Sequence, residues 1–194
     1  MIEKKAEAFL PTRFGDFKLL VFSSAGNGNE YAVLVNGEVS GKEDVFVRVH
    51  SGCLTGDVFG SLRCDCFEQL VASIKTVQGN GEGVIIYDRS QEGRGMGLLF
   101  KIKSYELQEK GLDTVQAAHS LGFSEDLRTY EAAAGILKQL GVKSICLLTN
   151  NPDKIRQVQK NGIRVTKRIP VQATPNDYNK KYLETKKIKM GHMF

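Results

Sequence analysis

The chain has 194 residues, 41% of them hydrophobic, and a formal net charge of +5 at pH 7. A chain of this length buries enough surface to fold without disulfides, so its four cysteines are not needed as staples. No stretch reaches the apolar length of a membrane-spanning helix, and the charged start, interrupted by Pro11, is unlike a signal peptide. These features favour a cytoplasmic protein with reduced thiols and no membrane partner.

The positive charge alone does not identify a partner, because nucleic acid, an acidic membrane surface and a nucleoside triphosphate would all be attracted to it. No RNP-type, zinc-finger or helix-turn-helix pattern accompanies the basic residues, so we expect no nucleic-acid partner. We predict a single domain over residues 1–194, with a lysine-rich tail from about residue 176 to residue 194. A solvated or poorly ordered tail is favoured over a binding element.

The N-terminal half has the pattern of β-strands. Alternating or β-branched runs at residues 17–24, 30–37 and 44–50 are separated by turn residues, which predicts mostly antiparallel strands.

The period of the hydrophobic residues lengthens after these runs. Leu70, Ile74 and Val77, at spacings of four and three, predict a helix over residues 67–78. The elements predicted after it are strands at 83–88, 143–149 and 163–169, and helices at 97–111, 130–141 and 152–162. The predicted fold class is therefore α/β, a mixed β-sheet with flanking helices and antiparallel strands in the N-terminal part.

Three of the four cysteines lie within fourteen residues, in RVHSGCLTGDVFGSLRCDC. Cys64 and Cys66 point the same way in an extended chain, and the intervening loop returns Cys53 toward them, so all three thiols can reach one metal ion. Three protein ligands with water in the fourth position are typical of catalytic zinc. The alternative is a closed site with His50 or Cys146 as fourth ligand. Cys146 lies in an apolar strand, where cysteine is usually a small hydrophobe, and this favours three ligands.

The stretch YDRSQEGRGMGLLF combines a strand end, three glycines and a helix start. Such glycines let backbone N–H groups approach an anion, and Arg94 adds a forked cation suited to phosphate. The spacing is neither that of a Rossmann fold nor that of a P-loop, and a glycine-rich turn is more often only a turn. The following helix places Leu98, Ile102 and Tyr105 on one face.

Two further stretches carry charge beside predicted helix starts. In LLTNNPDK, Asn151 is a candidate N-cap and Pro152 suits the first helical position, whereas Lys154 opposes the helix dipole unless an anion binds there. An ordinary exposed lysine is the alternative. In GFSEDLRTY, Asp126 and Arg128 share a side of an extended loop, although a surface ion pair is the commoner arrangement.

The joint order and spacing of these stretches resemble the GTP cyclohydrolase II family. The resemblance runs from LPTRFGDF to KMGH and includes RVHSGCLTGD, SLRCDC, QEGRGMGL, YELQEKGLDT, LGFSEDLR and LLTNNPDK. The family's fused partner domain, which makes dihydroxybutanone phosphate, has no room here, so the resemblance implies the monofunctional form.

The resemblance also implies site residues. Asp126 matches the family's proton acceptor, Arg128 its proposed nucleophile and Tyr105 a tyrosine near the reacting base. The implied zinc ligands are Cys53, Cys64 and Cys66. The implied nucleotide contacts are Arg48, Val49, His50, Ser51, Gln69, Glu92, Gly93, Arg94, Thr114, Thr149 and Lys154.

The implied reaction takes GTP and water to 2,5-diamino-6-(5-phosphoribosylamino)pyrimidin-4(3H)-one, formate and pyrophosphate, the first step of riboflavin biosynthesis. A catalytic Zn²⁺, Mg²⁺ on the GTP phosphates and a homodimer are also implied. A guanidinium is a poor nucleophile, so electrostatic stabilisation by Arg128 is the more conservative hypothesis. Guanine selection needs a carboxylate that accepts hydrogen bonds from the base, and Glu92 is the candidate. The alternative is that Glu92 is an ordinary loop residue whose side chain lies in water.

The chain departs from the family close to the matched site. Gly52 stands where the family usually has Glu, and Phe67 where it usually has Gly. Ser90 is an extra residue, and Ala118 replaces an Asn. These departures keep open a divergent paralogue that makes a different or partial product from GTP in a secondary-metabolite pathway. A zinc-stapled nucleic-acid-binding module is a remote alternative.

Overall fold

The computed structural model describes residues 1–26, 28–123 and 126–193. Ser124 and Glu125, which belong to the motif LGFSEDLR, and Phe194 of the tail lie outside the described residues. In the described ranges no helix combines the length and apolar character needed to cross a bilayer.

A seven-stranded mixed sheet organises the fold. Its strands are β1 (Ile2–Thr12), β2 (Gly15–Ser24), β3 (Glu30–Asn36), β4 (Val45–Ser51), β5 (Gly83–Asp88), β6 (Ser144–Leu148) and β7 (Arg164–Ile169). The spatial order is β1-β2-β3-β5-β4-β6-β7. β1, β2, β3 and β5 pair antiparallel, whereas β5, β4, β6 and β7 pair parallel. The predicted α/β class, with antiparallel strands in the N-terminal part, is confirmed, although β4 joins the parallel part.

Six helices accompany the sheet over the described residues. They are α1 (Cys66–Asn80), α2 (Leu98–Glu109), α3 (Thr114–Ser120), α4 (Glu131–Gln139), α5 (Pro152–Lys160) and α6 (Lys180–Met190). Four match predicted helices, and Asn151 caps α5 with Pro152 at its first turn, as predicted. α3 was missed although Asp113 and Gln116 form its capping box. α6 was missed because it buries only Thr185 and Lys186 and has no apolar stripe.

The strand β1 was also missed. Its side chains are mostly exposed and several are charged, so the alternation typical of a half-buried strand is absent. β1 lies at the sheet edge, where charges and Pro11 are tolerated because one side of the strand needs no pairing.

Hydrophobic residues pack on both sheet faces. The larger cluster joins β-strand side chains such as Val33 and Val47 to Ile136 and Leu137 of α4 and Val158 of α5. The smaller cluster joins Phe17 and Ile85 to Val77 of α1, with Leu70 and Ile74 packed against it. The predicted face of α1 is therefore the face that packs on the sheet.

The strand order creates a switch point beside β4. The chain passes from β4 to its neighbour β5, and then to β6 on the other side of β4. In open α/β sheets a crevice forms at the carboxyl ends of strands that diverge in this way, and ligands bind there. β4 ends at Ser51, β5 at Asp88 and β6 at Leu148, so the motifs that follow these strands meet at one edge.

Candidate active site

The three clustered cysteines converge as predicted. The Sγ atoms of Cys53, Cys64 and Cys66 all lie within 4.8 Å of one another, and those of Cys53 and Cys64 are 3.7 Å apart. Zinc–sulfur bonds of about 2.3 Å in a tetrahedron place two sulfurs about 3.8 Å apart, so this spacing fits a zinc ion. Cys53 follows β4, whereas Cys64 and Cys66 flank the start of α1.

The backbone closes tightly over this cluster at Gly56. A Cβ atom there would come within 2.9 Å of the Cys64 Sγ and 3.1 Å of the Cys53 Sγ. Among the described residues the group contains neither His50 nor Cys146. Cys146 instead lies 3.8 Å from the Thr166 hydroxyl. The open, three-cysteine interpretation is therefore the one that the geometry favours.

The three clustered cysteines differ in the direction of their pKa shifts. Hydrogen bonds from the Cys64 and Cys66 thiols, together with the ammonium of Lys101 at 2.9 Å, lower the pKa of Cys53. The same hydrogen bonding raises the pKa of Cys64 to about 11 and also raises that of Cys66. Among the three thiols, Cys53 next to Lys101 is therefore the one whose thiolate form is favoured.

A buried network fixes the loop that carries Cys53. The Asp57 carboxylate accepts from the backbone N–H of Cys53 at 2.9 Å and from the Tyr87 hydroxyl at 2.8 Å. It also lies 3.0 Å from His50 Nε2. Burial lowers the pKa of His50. His50 therefore supports the metal loop through Asp57, with its ring enclosed in the protein.

The cysteine cluster lies beside two adjoining cavities that share lining residues, here called the metal end and the cationic end. The metal end is lined by all three cysteines and by Glu92, Gly93, Tyr105 and Thr114. The cationic end is lined by Arg48, His50, Gln69, Thr149 and Lys154. Both ends share Ser51, Cys66, Arg94, Arg128 and Tyr182. The structure thus brings together most of the residues that the sequence predicted for the site.

Two predicted residues lie outside the lining. Val49 is fully buried, and its carbonyl accepts from Lys154 Nζ at 2.5 Å. Asp126 lies behind Arg128, whose Nε donates to its Oδ1 at 2.8 Å. Neither residue lines the cavity, and each contacts a basic side chain that does, Lys154 or Arg128.

Lys154 is buried, not exposed. Burial, together with the nearby charges of Arg48 and Arg128, lowers its pKa well below the usual range. Arg48 donates to the Leu148 carbonyl at 3.1 Å and to Gln69 at 2.6 Å. Basic side chains crowded beside the start of α5 are the arrangement expected where an anion binds, since an anion would favour their charged forms.

Arg128 remains a cation in this environment. Burial lowers its pKa, but Tyr130 and the hydrogen-bonded Asp126 outweigh burial and raise it above the usual range. Burial raises the pKa of Asp126, but the hydrogen bonds and charge of Arg128 lower it by more. The pKa of Asp126 is therefore below its usual value. Arg128 Nη1 also donates to Ser51 Oγ at 3.2 Å, which aims the guanidinium between the two ends of the cavity.

The Glu92 carboxylate is hydrogen-bonded to two other groups of the protein. Its Oε2 accepts from the backbone N–H of Leu54 at 2.6 Å, and its Oε1 accepts from Lys101 at 2.8 Å. Its side chain is not in water. These partners tie the glycine-rich loop to the metal loop and leave less of the carboxylate for a base.

Sequence reasoning missed several cavity residues. Lys101 precedes Tyr105 by four residues on α2, so helical spacing could have placed both on one face. Burial raises the pKa of Tyr105 to about 12, and the Arg63 guanidinium lies 4.1 Å above its ring. The α2 side chains that are buried are Phe100 and Ser104, whereas the predicted stripe of Leu98 and Ile102 is exposed.

The departures Gly52 and Ser90 lie close together. The Gly52 N–H donates to the Asp88 carbonyl at 2.8 Å, and a Cβ on Gly52 would lie 3.0 Å from that oxygen and 3.2 Å from Arg89 Cα. Ser90 Oγ donates to Asp88 Oδ1 at 2.6 Å. A larger residue at position 52 would crowd this backbone. Of the other departures, Ala118 is buried and lines the cavity.

The fold and the site define an α/β protein in which a three-cysteine cluster able to hold a metal ion adjoins a cavity lined by basic side chains. A family model described as GTP cyclohydrolase II matches residues 3–170. The chain belongs to the GTP cyclohydrolase II family, a family of hydrolases.

Relatives support this membership. GTP cyclohydrolase-2 of Picrophilus torridus is 50% identical over 194 residues and is matched over 100% of both chains. Two riboflavin biosynthesis proteins RibBA are also similar. That of Endomicrobium trichonymphae is 52% identical over 95% of this chain and 45% of its own length. That of Bacillus subtilis is 49% identical over 100% of this chain and 48% of its own length. The chain thus spans about half the length of these RibBA relatives.

A solved structure shares the fold. RibBX from A. baumannii, a two-domain 3,4-dihydroxy-2-butanone 4-phosphate synthase, matches with a TM-score of 0.50 and 20% identity. The match covers 89% of this chain and 40% of that chain. At this identity the likeness concerns the fold alone.

Proposed function

We propose that the protein is a zinc-dependent GTP cyclohydrolase II. It would convert GTP and water to 2,5-diamino-6-(5-phosphoribosylamino)pyrimidin-4(3H)-one, formate and pyrophosphate, the first step of riboflavin biosynthesis. The observation that carries the proposal is the pair of adjoining cavities, one lined by the three-cysteine cluster and the other by basic side chains. One nucleotide can then place its base by the metal and its phosphates by the cations.

Zinc is the metal that the donor set favours, because thiolates are soft ligands and the sulfur spacing suits a tetrahedron. Bound there, zinc supplies a Lewis acid and an activated water for hydrolysis of the purine ring. The protein's part is to hold the three thiolates, with Asp57 fixing the Cys53 loop and Gly56 closing over the sulfurs. We place the protein in the cytoplasm, where these thiols stay reduced.

The cationic end suits the triphosphate. Arg94 and Arg128 are shared by both ends, and Lys154 lies beyond them at the start of α5. Mg²⁺ on the phosphates and these cations would together neutralise the charge that develops when pyrophosphate leaves.

Arg128 acts in this proposal as a fixed cation and not as a nucleophile. Its raised pKa leaves it no free electron pair at neutral pH, and Asp126 orients it through paired hydrogen bonds. Tyr105 lines the metal end, where it would contact the reacting base. Glu92 serves to anchor the loop through Leu54 and Lys101.

A homodimer is part of the proposal. Exposed apolar side chains lie on the turn after β4 and on the neighbouring α2, and they include Val58, Phe59, Leu62 and Leu99. Arg63 and Glu109 join these two segments at 2.6 Å. An exposed apolar surface of this kind is typical of protein interfaces. Sedimentation of the Leu99→Glu variant should show a shift toward the monomer.

The deciding experiment is mass spectrometry of products after incubation of zinc-loaded protein with GTP and Mg²⁺. Formation of the diaminopyrimidinone phosphate with formate and pyrophosphate is the expected result. Accumulation of GMP or a formylated species would instead support a divergent paralogue, which the departure at Gly52 motivates. Unchanged GTP would remove the activity from the proposal.

A further inference from the structure

The C-terminal segment, residues 179–193, lies against the cationic end of the cavity. Tyr182, Lys186 and Met190 of α6 line that end, and His192 lies just beyond the helix and lines it too. The segment comes from the part of the chain most distant in sequence from β4, so only the folded structure reveals it as a wall of the site.

Two ion pairs hold α6 in place. Lys186 Nζ lies 3.0 Å from Asp65 Oδ1, and both side chains are buried. The same ammonium lies 4.3 Å above the Tyr182 ring. Lys189 Nζ lies 2.6 Å from Asp113 Oδ2 at the start of α3. Because Asp65 stands between two of the cluster cysteines, Lys186 connects the segment directly to the metal loop.

The last described residues are fixed by backbone hydrogen bonds. The Met193 N–H donates to the Asn150 carbonyl at 2.9 Å, and Arg168 Nη1 donates to the Met193 carbonyl at 3.0 Å. The His192 N–H donates to the Lys186 carbonyl at 3.1 Å. These bonds hold His192 beside the loop that leads into α5.

His192 is an uncharged ring among cations. Burial and the charges of Lys186, Arg128 and Arg94 lower its pKa to about 3. A neutral imidazole still carries one N–H donor, which can bind a phosphate oxygen without adding to the repulsion between the cations.

Basic side chains outnumber carboxylates in the lining of this end. Those that line it are Arg48, Arg94, Arg128, Lys154 and Lys186. Asp65, the one lining carboxylate among the described residues, pairs with Lys186, and Asp126 pairs with Arg128 from outside the lining. A cluster of basic side chains of this kind suits a ligand with several negative charges close together, as in a pyrophosphate group.

We propose that the C-terminal segment forms part of the polyphosphate-binding site, with His192 donating a hydrogen bond to a phosphate oxygen. Lys186 holds the segment against Asp65, at the wall of this end. The inference rests on the proposed function, because it assigns further binding residues to the same cavity.

The test uses the full-length, zinc-loaded protein and inorganic pyrophosphate with Mg²⁺, titrated by calorimetry, alongside KM and kcat for GTP. We expect His192→Ala to weaken pyrophosphate binding about tenfold and to raise KM similarly, because a hydrogen bond to a charged group is lost. His192→Gln, which restores a donor, should recover most of the affinity. Lys186→Met should weaken binding about tenfold as well.

Two variants serve as matched controls. His119→Ala removes an exposed histidine of α3, and Lys187→Met removes an exposed charge from α6 itself. Both should bind pyrophosphate within about twofold of the unchanged protein, since neither side chain lines the cavity. If Lys186→Met does not fold, the pyrophosphate affinity of His192→Ala alone tests the proposal.

The inference is overturned if His192→Ala binds pyrophosphate as tightly as the unchanged protein, or if the controls weaken binding as much as it does. It is also overturned if the unchanged protein does not bind pyrophosphate. Because this titration needs no turnover, its failure is distinguishable from failure of the proposed function, which the products of GTP report.

Discussion

The two ends of the cavity are assembled in different ways. The metal end takes its three cysteines from fourteen consecutive residues, 53–66, around one loop and one helix start. The cationic end gathers side chains from β4, the start of α1, the loop after β5, the approach to α4, the start of α5 and the C-terminal segment. A local cluster can be inferred from spacing along the chain, whereas a cavity wall drawn from six segments depends on the sheet order.

The largest expected effect is at the metal end. Cys66→Ser should abolish stoichiometric zinc binding and lower formate release by more than about 100-fold, because two thiolates hold zinc far less tightly than three. Zinc content by mass spectrometry and formate release measure the two effects. Cys146→Ser is the matched control, since Cys146 lies outside the cluster. Equal zinc loss in both variants would contradict the assignment of the ligands.

A smaller loss of rate is expected at the cationic end, because several basic side chains contribute to phosphate binding there. Arg128→Gln should slow pyrophosphate release by about 100- to 1,000-fold, as removal of one preorganised donor does in other enzymes. Arg128→Lys should retain part of the rate because it keeps the charge but not the paired geometry with Asp126. Unchanged pyrophosphate release from Arg128→Gln would exclude both the electrostatic and the covalent role.

The buried network behind the metal loop should matter for stability. Asp57→Ala removes the partner of His50, Tyr87 and the Cys53 N–H and should lower the free energy of unfolding by about 2–4 kcal/mol. Urea denaturation of the metal-free protein measures this loss. Asp177→Ala, at an exposed ion pair, should change it by less than about 0.5 kcal/mol. Equal losses would show that the network does not stabilise the loop.

The smallest expected effect concerns the departures beside the cavity. Gly52→Ala should lower the free energy of unfolding by about 1–2 kcal/mol, because its Cβ would lie 3.0 Å from the Asp88 carbonyl oxygen. Deleting Ser90 in the same protein should reduce that loss, since it shortens the crowded segment. Gly26→Ala, where a Cβ meets nothing within 4 Å, is the control. If the two changes alter the free energy of unfolding additively, the departures at Gly52 and Ser90 are independent of each other.

Residue spacing predicted the metal end well. Cys53, Cys64 and Cys66 could be joined from sequence because a short loop and a two-residue step bring them together whatever the rest of the fold does. The positions of β5 and β6 and the start of α5 were likewise predictable, from buried runs and from Asn151 with Pro152, although the parallel pairing of β4 was not.

The rest depends on tertiary packing. The burial of Lys154 and the docking of Lys186 on Asp65 join residues about 100 or more positions apart, and no local pattern indicates them. The exposed edge strand β1 and the tail helix α6 have no apolar periodicity, because pairing with β2 and two ion pairs hold them instead. The exposure of Leu98 and Ile102 on α2 also could not be predicted. An apolar stripe in the sequence packs either on the core or on another protein, and the sequence pattern is the same in both cases.

An open three-thiolate zinc centre beside an anion-binding cavity is tested most directly by X-ray absorption at the zinc edge of the loaded protein. We expect three sulfur neighbours at about 2.3 Å and one oxygen neighbour at about 2.0 Å. Four sulfur neighbours, or an imidazole nitrogen as the fourth neighbour, would mean a closed, structural site and would contradict a catalytic role for the cluster.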